Sequence, residues 1–135
     1  MASAAWSEEL SVGVMEIDLQ HQNLVALLGD VDEALRLKKS AVLLHAALAA
    51  LHKGAREHFA TEDGYFERFE HAGNDRHRRE HRKLLDRLTD LQGRLAGRRG
   101  QLTMEDVASI GDWLLTHVVA TDKPYFEFLK EQGWV

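Results

Sequence analysis

Four short stretches of the 135-residue chain put histidines and carboxylates where they could work together: His21, HFATE at 58–62, HRREH at 77–81 and THVVATD at 116–122. His58 and Glu62 are four residues apart, as are His77 and His81. On an α-helix such pairs stand about 40° apart and aim at one point. Imidazole nitrogen and carboxylate oxygen, with no sulfur, form a ligand set suited to iron, manganese, zinc or copper. Cysteine is absent, which excludes a thiolate metal site, a disulfide framework and a cysteine nucleophile.

The blander reading has to be weighed first. A single buried histidine is more often a hydrogen-bonded core residue than a ligand. Here five histidines (21, 58, 77, 81 and 117) fall on apolar stripes together with Glu62. No lysine or arginine shares those stripes to pair with them, and polar groups left unpaired in a dry interior are costly. Metal is the better partner. His45 and His52, one position off their stripe, and His71, in a turn, are expected to be solvated. Asp122 fits least well. It follows His117 by five residues, about 140° around an ideal helix, so it needs a long reach or a local distortion near Pro124.

Seven ligands are too many for one ion. Two six-coordinate ions offer roughly twelve positions. Five imidazoles, two bridging carboxylates and one bridging oxo or hydroxo group would fill all but one of them. The open position is where a small ligand such as dioxygen would bind.

The elements that must position these residues are all helical. Apolar residues recur at alternating spacings of three and four, which predicts helices over about 18–38, 41–70, 75–97 and 104–122, and a short C-terminal helix over about 124–131. Residues 1–17 lack that period and read as an extended arm, with Trp6, Val12, Val14 and Ile17 free to lie on the body. Asp18 and Ser40 are N-cap types. Gly73 is placed to end the second helix, and Asn74 or Asp75 to start the third. Thr103 with Asp106 resembles a capping box. Pro124 interrupts the last segment. Short connections make this a single all-α domain, an up-down-up-down antiparallel four-helix bundle. In that topology His21, Glu62, His77 and His117 all fall toward one end.

The charge of −5 is modest, and the one basic cluster, Arg76 to Lys83, is broken by histidines and Glu80. A nucleic-acid groove, which needs a concentrated basic face, is not expected. MASAAWSEEL lacks the basic and apolar regions of a signal peptide. No apolar run approaches the roughly 20 residues of a membrane span. A cytoplasmic monomer is expected.

VGVMEIDLQH (12–21), HFATE (58–62), HRREH (77–81) and WLLTHVVATDKPY (113–125) together resemble the hemerythrin family, in particular its single-domain bacterial members. The resemblance covers essentially the whole chain. It implies a non-haem di-iron site: His77, His81 and His117 on one iron, His21 and His58 on the other. Glu62, Asp122 and an oxo or hydroxo group would bridge the two. Dioxygen would bind at the two-histidine iron, and nitric oxide or anions such as azide are further candidate ligands. Four positions depart from the family pattern. Phe66 stands where methionine is frequent, His71-Ala72 where Tyr-Pro is frequent, and Gly29 where asparagine is usual. None removes a ligand. Leu24, Phe59, Phe66, Trp113 and Val118 flank the ligands and are candidates for the apolar lining of an oxygen pocket.

Two carboxylates and no evident general acid or base beyond the ligands favour reversible dioxygen binding over turnover. Storage, sensing or delivery to an oxygen-using enzyme would each fit. The alternative is a di-iron redox enzyme or sensor acting on peroxide, nitric oxide or iron. A regulatory module that reports to a partner would need an exposed apolar patch, for which FEFLKEQGWV (126–135) is the one candidate. Those residues are expected to pack back on the bundle instead.

Overall fold

The computed structural model describes residues 6–97 and 101–135. Residues 1–5 of the expected arm and 98–100 of the third connection lie outside that range. The order is a short 3-10 turn (Glu8–Leu10), α1 (Met15–Arg36), α2 (Ala41–Arg68), α3 (Asn74–Gly97), α4 (Met104–His117), a π-helical turn (Val118–Asp122) and α5 (Lys123–Glu131). Helix α1 packs on α2 and α4, and α2 packs on α3. The architecture is an all-helical four-helix bundle, with α5 continuing from the fourth helix.

Local chemistry sets the helix ends. Ser40 caps α2 by accepting from the Leu43 amide. Thr103 and Asp106 form a reciprocal capping box at α4, and Asp106 also takes Arg87 and Arg94 of α3, at 3.0 and 3.1 Å. Asp18 does not cap α1. The helix begins three residues earlier, at Met15, with Val14 at its N-cap. Asp18 instead ties the arm down: Ser11 Oγ donates to its Oδ2 at 2.6 Å and the Val12 amide to its Oδ1 at 2.8 Å. That anchor buries Val12 and Ile17, while Trp6 packs on the larger core.

Two apolar clusters make up the interior. The larger includes Leu24, Leu28, Leu48, Leu51, Phe59, Leu88, Ile110, Leu114 and Val118. The smaller holds Val12, Ile17, Phe66, Tyr125, Phe126 and Leu129. Along α1, α2 and the fourth helix the chain passes from one cluster to the other across His21, Glu62 and Asp122. A polar layer therefore separates two dry ones.

Gly54 lets α1 and α2 approach: a Cβ there would sit 2.6 Å from Leu27 Cδ1. The C-terminal segment folds back, with Phe126 and Leu129 fully buried and Trp134 stacked on Phe69 at 5.1 Å. Among the described residues no helix is long and apolar enough to cross a membrane.

Candidate metal centre

His21 comes from α1, His58 and Glu62 from α2, His77 and His81 from α3, and His117 and Asp122 from the fourth helix. All seven are buried, Glu62 and Asp122 completely. One ligand atom from each of Glu62, His77, His81, His117 and Asp122 can be chosen so that all lie within 4.8 Å of one another. The same is true of His21, His58, Glu62 and Asp122. The two groups share both carboxylates.

The π turn solves the problem of Asp122. The Lys123 amide bonds the Val118 carbonyl, five residues back rather than four. The wider turn takes up the extra residue between His117 and Asp122 and returns the carboxylate to the histidine's face. Asp122 Oδ1 then lies 3.1 Å from His117 Nε2 and 2.7 Å from His77 Nε2, while Oδ2 lies 3.1 Å from His21 Nε2. Pro124, with no amide hydrogen, sits at the start of α5, where none is needed.

Glu62 lies in the same layer. Its Oε1 is 2.9 Å from His81 Nε2, and its Oε2 is 3.4 Å from His58 Nε2 and 4.0 Å from His21 Nε2. Most of these contacts are close enough for hydrogen bonds but not aligned for them. Nine buried polar atoms of the cluster lack a hydrogen-bond partner: both ring nitrogens of His21 and His81, Nε2 of His58 and His117, both oxygens of Glu62 and Oδ2 of Asp122. Buried polar groups are rarely left this way. Imidazoles and carboxylates that come close without pairing are converging on something between them. The donor set and its orphaned atoms fit a pair of metal ions.

Electrostatics agree. Burial opposes charge on Glu62, and so does the neighbouring Asp122. The charge of His58 and the contacts of His58 and His81 outweigh both and hold the carboxyl at about 2. Burial also opposes charge on Asp122, but His117, His21 and His77 carry it well below the usual carboxylate range. Burial would lower His58 and His117, yet the facing carboxylates raise both. For His81 burial wins, and its value falls. Without bound ions, the facing carboxylates thus favour protons on His58 and His117.

Two histidines of the cluster are held from behind. His58 Nδ1 donates to Gln20 Oε1 at 2.7 Å, Gln20 Nε2 donates to Thr61 Oγ1 at 3.0 Å, and Thr61 Oγ1 donates to the Glu57 carbonyl at 3.1 Å. His117 Nδ1 donates to Glu80 Oε1 at 3.0 Å. Each partner turns the ring so that Nε2 faces the centre. Aromatic faces cover the site: Phe59 stacks on His81 at 3.9 Å, Trp113 on His117 at 4.6 Å, and Phe66 tilts against His77 at 4.6 Å. Phe59 and Phe66 are buried, and Trp113 is half-buried. Leu24 and Val118 lie in the larger apolar cluster beside Phe59.

The sequence suggested no acid or base beyond the ligands, but the structure brings two such groups to the site's edge. Glu80 touches His117 and is held below its usual value, since hydrogen bonds from Thr121 and His117 outweigh burial. The Tyr125 hydroxyl is buried without a partner. Burial, then the charge of Glu62, pushes it up to about 12. Nothing in a single-helix pattern distinguishes Glu80 or Gln20, because their partners lie on other helices. The three histidines expected in solvent are instead half-buried: His52 hydrogen-bonds Gln92, and His71 packs edge-on against Tyr125 and Phe128. None joins the cluster.

A family model described as the hemerythrin HHE cation binding domain matches residues 12–129. The chain belongs to the hemerythrin family. Bacteriohemerythrins from three strains of Pseudomonas aeruginosa (LESB58, UCBPP-PA14 and PAO1) are each 22% identical to it over 131 residues, spanning 96% of this chain and 84% of theirs. A crystal structure of a leucine-to-phenylalanine mutant superposes with a TM-score of 0.87 at 23% identity, covering 94% of this chain and 97% of that one. At that identity the superposition establishes the shared fold. Hemerythrin membership accounts for the buried cluster of histidine, glutamate and aspartate, a set able to bind metal.

Proposed function

We propose that this hemerythrin-family chain holds two iron ions and binds dioxygen reversibly, for storage, delivery or sensing. One observation carries the reading: two buried ligand groups that share Glu62 and Asp122. In this assignment His77, His81 and His117 would hold one ion, His21 and His58 would hold the other, and Glu62 and Asp122 would serve both. An iron pair there would supply reversible exchange of electrons with a small ligand. The half with two histidines would offer fewer protein donors, leaving room there for a small ligand.

The chain's own residues do the rest. Gln20 and Glu80 fix the rings of His58 and His117. Phe59, Phe66 and Trp113, with Leu24 and Val118, keep water off the centre, which disfavours release of charged products. The Tyr125 hydroxyl keeps its proton at neutral pH, so it is a donor and not a base. A layer of this kind favours binding and release over turnover. The relatives' name, bacteriohemerythrin, agrees with the reading.

The test is oxygen cycling. Protein loaded with ferrous iron under nitrogen is exposed to oxygen and then purged, with iron counted per chain and the visible spectrum followed. Two irons and an oxygen-dependent band that comes and goes over several cycles support the reading. Immediate irreversible oxidation overturns it in favour of a redox enzyme or sensor acting on peroxide, nitric oxide or iron.

A further inference from the structure

The two halves of the centre are backed differently. His58 leans on the neutral amide of Gln20, whereas His117 leans on the carboxylate of Glu80. Glu80 has three partners. Its Oε1 accepts from His117 Nδ1 at 3.0 Å and from Thr121 Oγ1 at 3.1 Å, and its Oε2 faces Arg76 Nε at 3.3 Å. Thr121 lies in the π turn, next to Asp122. One side chain on α3 therefore grips the histidine before that turn and the threonine within it. By contrast, Nδ1 of His21 and of His81 has no partner.

We propose that Glu80 is the positioning residue of the three-histidine half. It fixes His117 with Nε2 inward, steadies the π turn that delivers Asp122, and makes this half the more electron-rich of the two. The inference rests on the two-ion reading above. A carboxylate can only accept, so it keeps the proton on His117 Nδ1. A negative partner also strengthens the imidazole as a donor, which a neutral amide does far less. A donor of that kind favours the ferric over the ferrous ion.

The site can be altered without emptying the core. Glu80 is 23% exposed at its side chain. It borders a cavity of about 240 Å³ with His71, Arg76, His77, Thr121 and Tyr125. Water can fill the space that a shorter side chain would leave.

Ion-free protein is titrated with zinc(II) alone in a calorimeter, comparing the unmodified chain with E80A and E80Q. The expected result is two zinc ions for every form. In E80A one of the two should bind about 10–100-fold more weakly, the usual effect of losing such a partner. E80Q should recover most of that loss, because its amide oxygen still accepts from His117. It should not recover the charge. Iron-loaded E80Q should therefore show a higher reduction potential, and a tenfold loss of preference for the ferric ion corresponds to about 59 mV. E80Q keeps the volume and the acceptor, so its potential decides the matter even if E80A folds poorly. Zinc affinities of E80A within twofold of the unmodified chain, or an unchanged potential in E80Q, would overturn the proposal. Fewer than two zinc ions on the unmodified chain would overturn the two-ion reading itself, and this inference with it.

Discussion

Replacing Asp122 by asparagine removes one charge from the centre of the polar layer and little else. The side chain is fully buried and touches His77, His117 and His21 at 2.7, 3.1 and 3.1 Å. Its loss leaves the surrounding imidazoles facing one carboxylate instead of two. Removing one partner of a buried charged set costs about 3–5 kcal/mol, much of it for the charge left behind. With a urea slope of about 2 kcal/mol/M, the midpoint of ion-free D122N should fall by roughly 1.5–2.5 M. The effect has a definite pH signature. Asp122 titrates below its unfolded value of 3.8 when folded. Its contribution is therefore present above that value and disappears as pH falls through the lower, folded one. The gap between unmodified protein and D122N should be full at pH 7 and shrink below about pH 4. Urea titrations of both ion-free proteins between pH 3 and pH 7 measure it. A gap absent at pH 7, or equally large at pH 3, would refute the reasoning.

Other consequences are as direct. His117→Ala removes a ligand from only one of the two groups. Metal analysis should find one tightly held ion, against two expected for the unmodified chain. Because the facing carboxylates raise His58 and His117, metal uptake near neutral pH should displace protons from them. Calorimetry in two buffers of different ionisation enthalpy should give different apparent heats, and equal heats would contradict the charge balance. The folded-state increase also means that the stability from these two protons is complete below the unfolded value of 6.5 and is lost as pH rises through the higher folded values. Gly29 and Gly54 should diverge. A Cβ at Gly29 meets nothing within 4 Å, so Gly29→Ala should add about 0.5–1 kcal/mol from helix propensity. Gly54→Val, forced against Leu27, should cost about 1–3 kcal/mol by thermal or urea melting.

Most of this protein is legible in its sequence because most of its determinants are local. The three-and-four period sets the helices, Ser40 and Thr103 mark two starts, and the i, i+4 pairs His58–Glu62 and His77–His81 single out members of the buried cluster without any tertiary information. Asp18 misled because an aspartate ahead of an apolar period looks like a cap. In the fold, its acceptors serve Ser11 and Val12 of the arm. Asp122 revealed a conflict but not its resolution. The spacing from His117 demanded a distortion, and only the backbone bond from Lys123 to Val118 identifies it as a π turn. Glu80 was overlooked for a different reason. On α3 alone it interrupts a basic run, and its meaning comes from His117 and Thr121 on another helix. His45, His52 and His71 show the limit of counting periods. A residue just off a stripe is shielded by its neighbours, and reading it as solvated underestimated that.

In the proposed centre one buried layer holds two ions through shared carboxylates. Anomalous diffraction at the iron edge, on crystals of iron-loaded protein, tests it most directly. Two peaks about 3.5–4 Å apart are expected, with Glu62 and Asp122 reaching both, His77, His81 and His117 on one, and His21 and His58 on the other. A single peak, or a pair that does not share those two carboxylates, would contradict it.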